Sequence, residues 1–381
     1  MVKGTRMKWQ LSLVLAMVTI LGGGCTTLAP KPAVQWTVSE ANAWYGEKPW
    51  LVGCNFGPST AINQLEMWQA ETFDPETIDR ELAWAQDLGF TSVRVYLHHL
   101  LWEQHARGFL HRLEDFLDIA ERHHIGVMFV LLDGCWDPFP NLGDQRDPKP
   151  HVHNSGWAQS PGVKILRDPE ACDQLKGYIK GVIGHFRKDK RVHAWDLFNE
   201  PDNINRPAYV QFEPENKAEL SLALLKKAFA WAREVRPTQP LTAAVWSGDW
   251  SSDEKLSPIN RLMLEQSDII TFHAYSNLDQ TRVRVESLKR YNRPIICTEY
   301  MARPAGSTFQ EILPYFKEQN VGAYNWGFVA GKTQTIYPWD SWVKSYDAEP
   351  PVWFHDIFRK DGAPFDPKEV ELIKSLTGKG R

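Results

Sequence analysis

The 381-residue sequence has no GxGxxG turn and no P-loop, so the backbone cradles that hold dinucleotides and nucleotide phosphates are excluded. It has no basic excess: 43 Lys and Arg stand against 47 Asp and Glu, for a net charge of -4, and no basic cluster interleaves with aromatics. Nucleic acid is therefore not an expected partner. Cysteine is scarce, with five in the chain, and its spacing matches no zinc pattern. So few cysteines cannot make a disulfide scaffold in a chain of this length. Cys135 and Cys172 could bridge across a long loop in an oxidising compartment, whereas Cys54 and Cys297 are expected as buried free thiols. After residue 33 no low-complexity linker breaks the sequence, which leaves one large domain as the expectation. No metal or organic cofactor is implied, and a monomer is expected.

What is abundant is tryptophan, with 17 residues beside 11 Tyr and 18 Phe. The flat face of Trp stacks on the apolar face of a sugar ring, although plain core packing accounts for many of them. At the N-terminus, Lys3, Arg6 and Lys8 precede an apolar run from Trp9 to Leu21 that is too short to span a bilayer comfortably. That pattern marks a secretory signal and hence export. The run ends Leu21-Gly22-Gly23-Gly24-Cys25, which resembles a bacterial lipoprotein box, with Gly22 where a bulky aliphatic usually stands. The resemblance implies a signal over 1–25, a lipidated Cys25 at the start of the mature chain, and a tether over 26–40. Membrane attachment is then through the lipid alone; cleavage without lipidation gives a secreted enzyme instead.

Residues 41–381 alternate short apolar strands with amphipathic helices, the pattern of a parallel sheet. Candidate strands are 51–55, 92–97, 127–133, 192–199, 241–246, 269–275, 295–299 and 322–326. Helix starts are marked by Asp74-Pro75, Asp168-Pro169 and Asp366-Pro367, each an N-cap followed by proline in the first turn. Further helices are expected near 114–124, 215–235, 253–266, 283–291 and 309–319. Eight strands without a Gly-rich first turn predict an α/β fold, a single (β/α)8 TIM barrel, with long loops after strands 3 (134–167) and 8 (327–351). In that fold the chemistry lies at the C-terminal ends of the strands.

Strand 4 ends Phe198-Asn199-Glu200-Pro201, and strand 7 ends Cys297-Thr298-Glu299-Tyr300. A single glutamate at a strand end is most often a salt-bridge partner or a helix cap. Two of them on one catalytic rim suit glycoside hydrolysis, which needs one carboxylic acid to protonate the leaving oxygen and one carboxylate to attack the anomeric carbon. Asn199-Glu200-Pro201 on strand 4 with Glu299 on strand 7 resembles glycoside hydrolase clan A, and most closely family 5, over residues 51–326. The resemblance implies a retaining β-glycosidase with Glu200 as acid/base, Glu299 as nucleophile and a β-linked glycan as substrate.

It also matches Arg94 at the end of strand 2, His273-Ala274-Tyr275 on strand 6 and Trp326 on strand 8. Arg94 is a permanent cation that can hold the nucleophile ionised. Asn199 is expected on the sugar 2-hydroxyl, Tyr275 on Glu299, His273 on sugar hydroxyls, and Trp326 under the reacting ring. Glu299 is expected to hold Glu200 protonated through like-charge repulsion.

The sequence departs from family 5 after strand 3, where Leu132-Asp133-Gly134-Cys135-Trp136 lacks the usual histidine. Either Asp133 or His98 and His99 supply the missing polar contact, or the chain belongs to a neighbouring family of the clan. His151-Val152-His153 has the alternation of a metal pair but lacks a third ligand, which favours a solvated loop. Of the rim tryptophans Trp136, Trp157, Trp246, Trp250, Trp339 and Trp342, about half are expected to face sugar and the rest to pin loops. A glycan-binding lipoprotein on a degenerate barrel and a transglycosylase are the competing functions.

Overall fold

In the computed structural model, residues 1–4 and 34–379 are described. The expected signal, Cys25 and most of the tether lie outside them. Eight parallel strands form one sheet: β1 (Val52–Asn55), β2 (Ser92–Tyr96), β3 (Gly126–Val130), β4 (Val192–Asp196), β5 (Leu241–Thr242), β6 (Ile270–Ala274), β7 (Ile295–Tyr300) and β8 (Gly322–Asn325). The strand order runs β5-β4-β3-β2-β1-β8-β7-β6. A parallel bridge between Val245 and Phe272 joins the two ends, with the His273 amide donating to the Val245 carbonyl at 3.0 Å. All eight predicted strands are present, and the barrel is the predicted (β/α)8 fold. Nearly every strand residue is buried, because helices cover the outside and side chains fill the inside.

The lower interior is a layer of Leu51, Met128, Ala194, Ile269, Ile296 and Tyr324. A helix at Val38–Gly46, started by a Thr37–Glu40 capping box, lays Ala41 and Tyr45 against this layer. Just before it, the Trp36 amide donates to Asp268 at 2.8 Å, and Arg293 reaches the Trp36 carbonyl. Residues 34–46 are thus fastened to the barrel, and the opposite end of the strands carries the cleft.

The Asp-Pro starts hold at Pro75–Asp87 and Pro367–Thr377, but Asp168-Pro169 opens only a single turn, Pro169–Cys172, before the helix Leu175–Phe186. The expected helix over 253–266 is instead a short turn followed by Pro258–Gln266, because Ser257 caps a fresh start and Pro258 lacks the amide needed to continue an earlier helix. The helix expected near 114–124 begins much earlier, at His99, and breaks at His105.

Cys54, Cys135, Cys172 and Cys297 are all free and buried. The pairing of Cys135 with Cys172, which the sequence left open, is not made: Cys172 turns its thiol to the Ile165 carbonyl on the outer helical layer, while Cys135 faces the cleft beside Glu200. The two belong to different layers.

Candidate active site

The two glutamates reach the cleft through local irregularities of their strands. Glu200 follows β4 with a positive φ of 38°, an uncommon conformation for a residue with a side chain. The loop after β3 presses directly on it: a side chain at Gly134 would meet the Glu200 carbonyl oxygen at 2.3 Å, so only glycine fits there. On β7 the register with β8 shifts between Cys297 and Tyr300, and the register with β6 shifts so that His273 lies opposite Glu299. Such bulges re-aim side chains beside active sites. A carboxylate oxygen of Glu200, one of Glu299 and a ring nitrogen of His273 consequently lie within 4.8 Å of one another.

Glu299 is held by three donors. Arg94 Nη1 donates to its Oε1 at 2.8 Å, Tyr96 Oη to the same oxygen at 2.7 Å, and Tyr275 Oη to Oε2 at 2.7 Å. Arg94 is fully buried and spends its remaining donors on Asp196, Asn55 and the Asn199 carbonyl oxygen. The guanidinium of Arg94 thereby ties together β1, β2, the end of β4 and β7. Its own pKa is pushed up: burial works against the charge, but Tyr96, Asp196 and Glu299 outweigh it. Tyr96 is a site residue that the sequence reading missed, although its place two residues after Arg94 on one strand puts both on the same face.

Glu200 has a different set of partners. His273 Nδ1 lies 2.7 Å from Oε1, Asn203 Nδ2 donates to Oε2 at 2.7 Å, and the Cys135 thiol is 3.4 Å from Oε2. Burial pushes this carboxyl up, but the hydrogen bond and charge of His273, with Asn203 and Cys135, outweigh it and leave Glu200 below its ordinary value. One expectation is corrected here. His273 turns Nδ1 to Glu200, lies 3.6 Å from Glu299, and keeps an unpartnered, buried Nε2. Glu200 is governed by this histidine and not by Glu299 alone, because Glu299 already has its own cation in Arg94.

Asp133 stands at the base of the missing-histidine segment. Its carboxylate accepts from Asn199 Nδ2 (3.0 Å), the Cys135 amide (3.0 Å), Trp157 Nε1 (2.6 Å) and Gln64 Nε2 (3.0 Å). Burial pushes Asp133 up to about 7 in spite of these bonds. It therefore orients Asn199, whose carbonyl end is fixed by Arg94. His98 and His99 lie elsewhere, bonded to the Gln159 carbonyl and Ser160 Oγ beneath the loop. The space beside Glu200 is filled by Cys135.

The cleft is a cavity of about 380 Å³ lined by both glutamates, Asn199, Tyr275, Trp136, Trp157, Trp246, Trp326 and Trp339. Trp326 packs edge-on against Tyr96 and Trp157, with ring centroids 5.6 Å away in each case. Trp250 and Trp342 do not line it: Trp250 is buried under Arg284, and Trp342 stacks behind Trp136. His151 and His153 are neither a metal pair nor a solvated loop, since His153 is buried and donates from Nδ1 to the Tyr337 carbonyl at 2.7 Å. Glu200, His273 and Glu299 are also spaced to hold a cation. The oxygens of both carboxylates are already taken by protein donors, which leaves such an ion little to bind.

No protein-family model matches the chain, and no curated protein matches it by sequence. Solved structures do match. GH5_18 from Streptomyces cattleya, in complex with GlcNAc, has a TM-score of 0.57 at 13% identity, over 86% of this chain and 80% of its own. An endo-β-1,4-mannanase from Thermotoga petrophila has a TM-score of 0.57 at 14% identity, over 88% of this chain and 77% of its own. A β-1,4-D-mannanase from Cryptopygus antarcticus has a TM-score of 0.55 at 13% identity, over 87% of this chain and 91% of its own. The barrel is therefore of the kind found in family 5 of glycoside hydrolase clan A.

Proposed function

We propose that the chain is a retaining β-glycoside hydrolase in which Glu299 attacks the anomeric carbon and Glu200 serves as acid and then base. The observation that carries this reading is that one oxygen of Glu200 and one of Glu299 lie within 4.8 Å of each other in a cleft lined by tryptophan. Inverting enzymes set their carboxyl groups about 6.5–9.5 Å apart to admit a water, so a close approach favours direct attack. Arg94, Tyr96 and Tyr275 hold Glu299 in place with three hydrogen bonds. Glu200, whose Oε1 lies 2.7 Å from His273 Nδ1, delivers the proton to the leaving oxygen. When the glycosyl ester forms, the Glu299 charge disappears. Glu200 then takes a proton from incoming water.

Several structural neighbours are described as β-mannanases, and one GH5_18 structure holds Manb1-4GlcNAc. β-Mannosides are therefore the first substrates to try. The test is a panel of β-1,4-linked manno-, gluco- and xylo-oligosaccharides with aryl β-glycosides, the first-formed anomer being followed by NMR. The β-anomer is expected; release of the α-anomer sinks the mechanism. Adding a sugar acceptor to the same reactions separates hydrolysis from transglycosylation, since both use the same ester. A binding-only protein would cleave no member of the panel.

Export and acylation at Cys25 are part of the proposal and rest on the N-terminal sequence alone. Mass spectrometry of the mature protein from a bacterial host is expected to find a diacylated or triacylated Cys25. An unmodified mature N-terminus would remove the lipid anchor from the proposal and leave the secreted form.

A further inference from the structure

The two long loops are laced together across one end of the cleft. The His151 amide donates to Gln334 Oε1 at 2.7 Å, the His153 amide to Ser341 Oγ at 2.9 Å, and the Asn154 amide to the Thr333 carbonyl at 2.8 Å. Gln334 returns a bond from Nε2 to the Lys149 carbonyl at 2.7 Å. Trp136 stacks on Trp342 with centroids 5.6 Å apart and planes 15° apart, and the Lys149 ammonium caps Trp342 at 4.7 Å. Backbone amides supply most of these bonds, so the seam has little rotamer freedom to lose.

The bonded seam marks one end of the cavity, where His153, Asn154, Trp157 and His355 line it and are buried, with the exposed Trp339 at the rim beside His355. At the other end, on the segments after β4 and β5, Arg206 is exposed and Trp246 half-buried. Glu200 and Asn203 adjoin the open end. An acid must stand beside the leaving oxygen, so the leaving group departs through the open end and the closed end receives the sugar that becomes attached to Glu299. The volume of about 380 Å³ lies near the bottom of the roughly 300–1,000 Å³ range of small-ligand sites, which suits a short glycone and not a long threaded chain.

His355 supplies a polar contact at the closed end. Its Nδ1 faces the Met301 carbonyl, which can only accept, so that nitrogen carries the hydrogen. Burial, with His153 nearby, keeps the ring neutral. Its Nε2 is consequently a lone-pair acceptor, buried and without a partner. An acceptor there suits a sugar hydroxyl and repels a carboxylate. We propose, resting on the glycosidase reading, that the cleft is a blind pocket for the uncharged terminal sugar at the non-reducing end of a β-linked glycan. The enzyme acts from that end, with His355 Nε2 accepting from a hydroxyl of the terminal ring.

The experiment uses the manno- and gluco-oligosaccharides of the panel above, each prepared with its non-reducing end free or capped by a 4,6-O-benzylidene group, and labelled at the reducing end. Wild-type protein is expected to shorten free chains from the non-reducing end and to leave capped chains intact. Gln334→Ala combined with Ser341→Ala opens the seam and is expected to narrow the discrimination against capped chains by about tenfold or more, roughly the loss of 1.4 kcal/mol. His355→Phe keeps the ring and removes the acceptor; kcat/KM on free chains is expected to fall about tenfold, with the fold unchanged by circular dichroism. Cleavage of capped chains by wild type at the rate of free ones overturns the blind pocket alone. Unaltered kcat/KM in a folded His355→Phe variant overturns the role of His355. If aryl β-glycosides and all free chains resist cleavage, the glycosidase reading fails and takes this inference with it.

Discussion

Replacing Glu299 by alanine is expected to lower kcat by roughly 10⁵-fold or more, the scale on which loss of a covalent nucleophile acts. The deletion leaves a gap between Tyr96, Tyr275 and Arg94, all of which donated to the lost carboxylate. A small anion such as azide fits that gap and meets the Arg94 cation there. With an activated aryl β-glycoside, azide is expected to restore turnover and to yield the α-glycosyl azide, because it attacks from the face that the carboxylate used. Recovery of a β-azide, or residual activity within tenfold of wild type, would assign the nucleophile elsewhere.

Glu200→Ala is the second large effect, and it separates the two steps. On a natural glycan, whose leaving alkoxide needs a proton, the rate is expected to fall by about 10²–10⁴-fold. On a dinitrophenyl glycoside the first step needs no acid, so the ester accumulates and a burst of phenolate precedes slow turnover. Azide then attacks the ester and yields the β-azide, opposite in configuration to the product of the Glu299 variant. The pH profile carries a further sign. Proton donation requires Glu200 to be protonated, and its carboxyl is held below its ordinary value, so wild-type kcat/KM on glycans falls as pH rises through the titration of Glu200. The residual rate of Glu200→Ala on the same glycan is expected to lose this alkaline limb. A limb that persists unchanged would place the proton donor elsewhere.

Much of this was legible in the sequence because buried parallel strands read as continuous apolar runs, and a charged residue that ends such a run has little alternative to the catalytic rim. Glu200, Glu299, Arg94, Asn199, Tyr275 and Trp326 were found in that way and through their resemblance to a known pattern. Tyr96 was equally accessible through strand alternation. Other features were not. The contact of His273 with Glu200 depends on a register shift between β6 and β7, which has no periodic signature. Asn203 and Cys135 meet Glu200 through loop conformations fixed by Gly134 and by the positive φ of Glu200, properties of three-dimensional packing and not of spacing. The pairing of Cys135 with Cys172 stayed open for the same reason: separation along the chain does not reveal that Cys135 faces inward while Cys172 lies on the outer helices.

The bonds around Arg94 have one more consequence, which concerns charge balance. One buried guanidinium is shared between two carboxylates, Asp196 and Glu299. On the mechanism proposed above, esterification of Glu299 leaves the Arg94 guanidinium to Asp196, so the covalent step redistributes the bonds of one buried cation without leaving it unpaired.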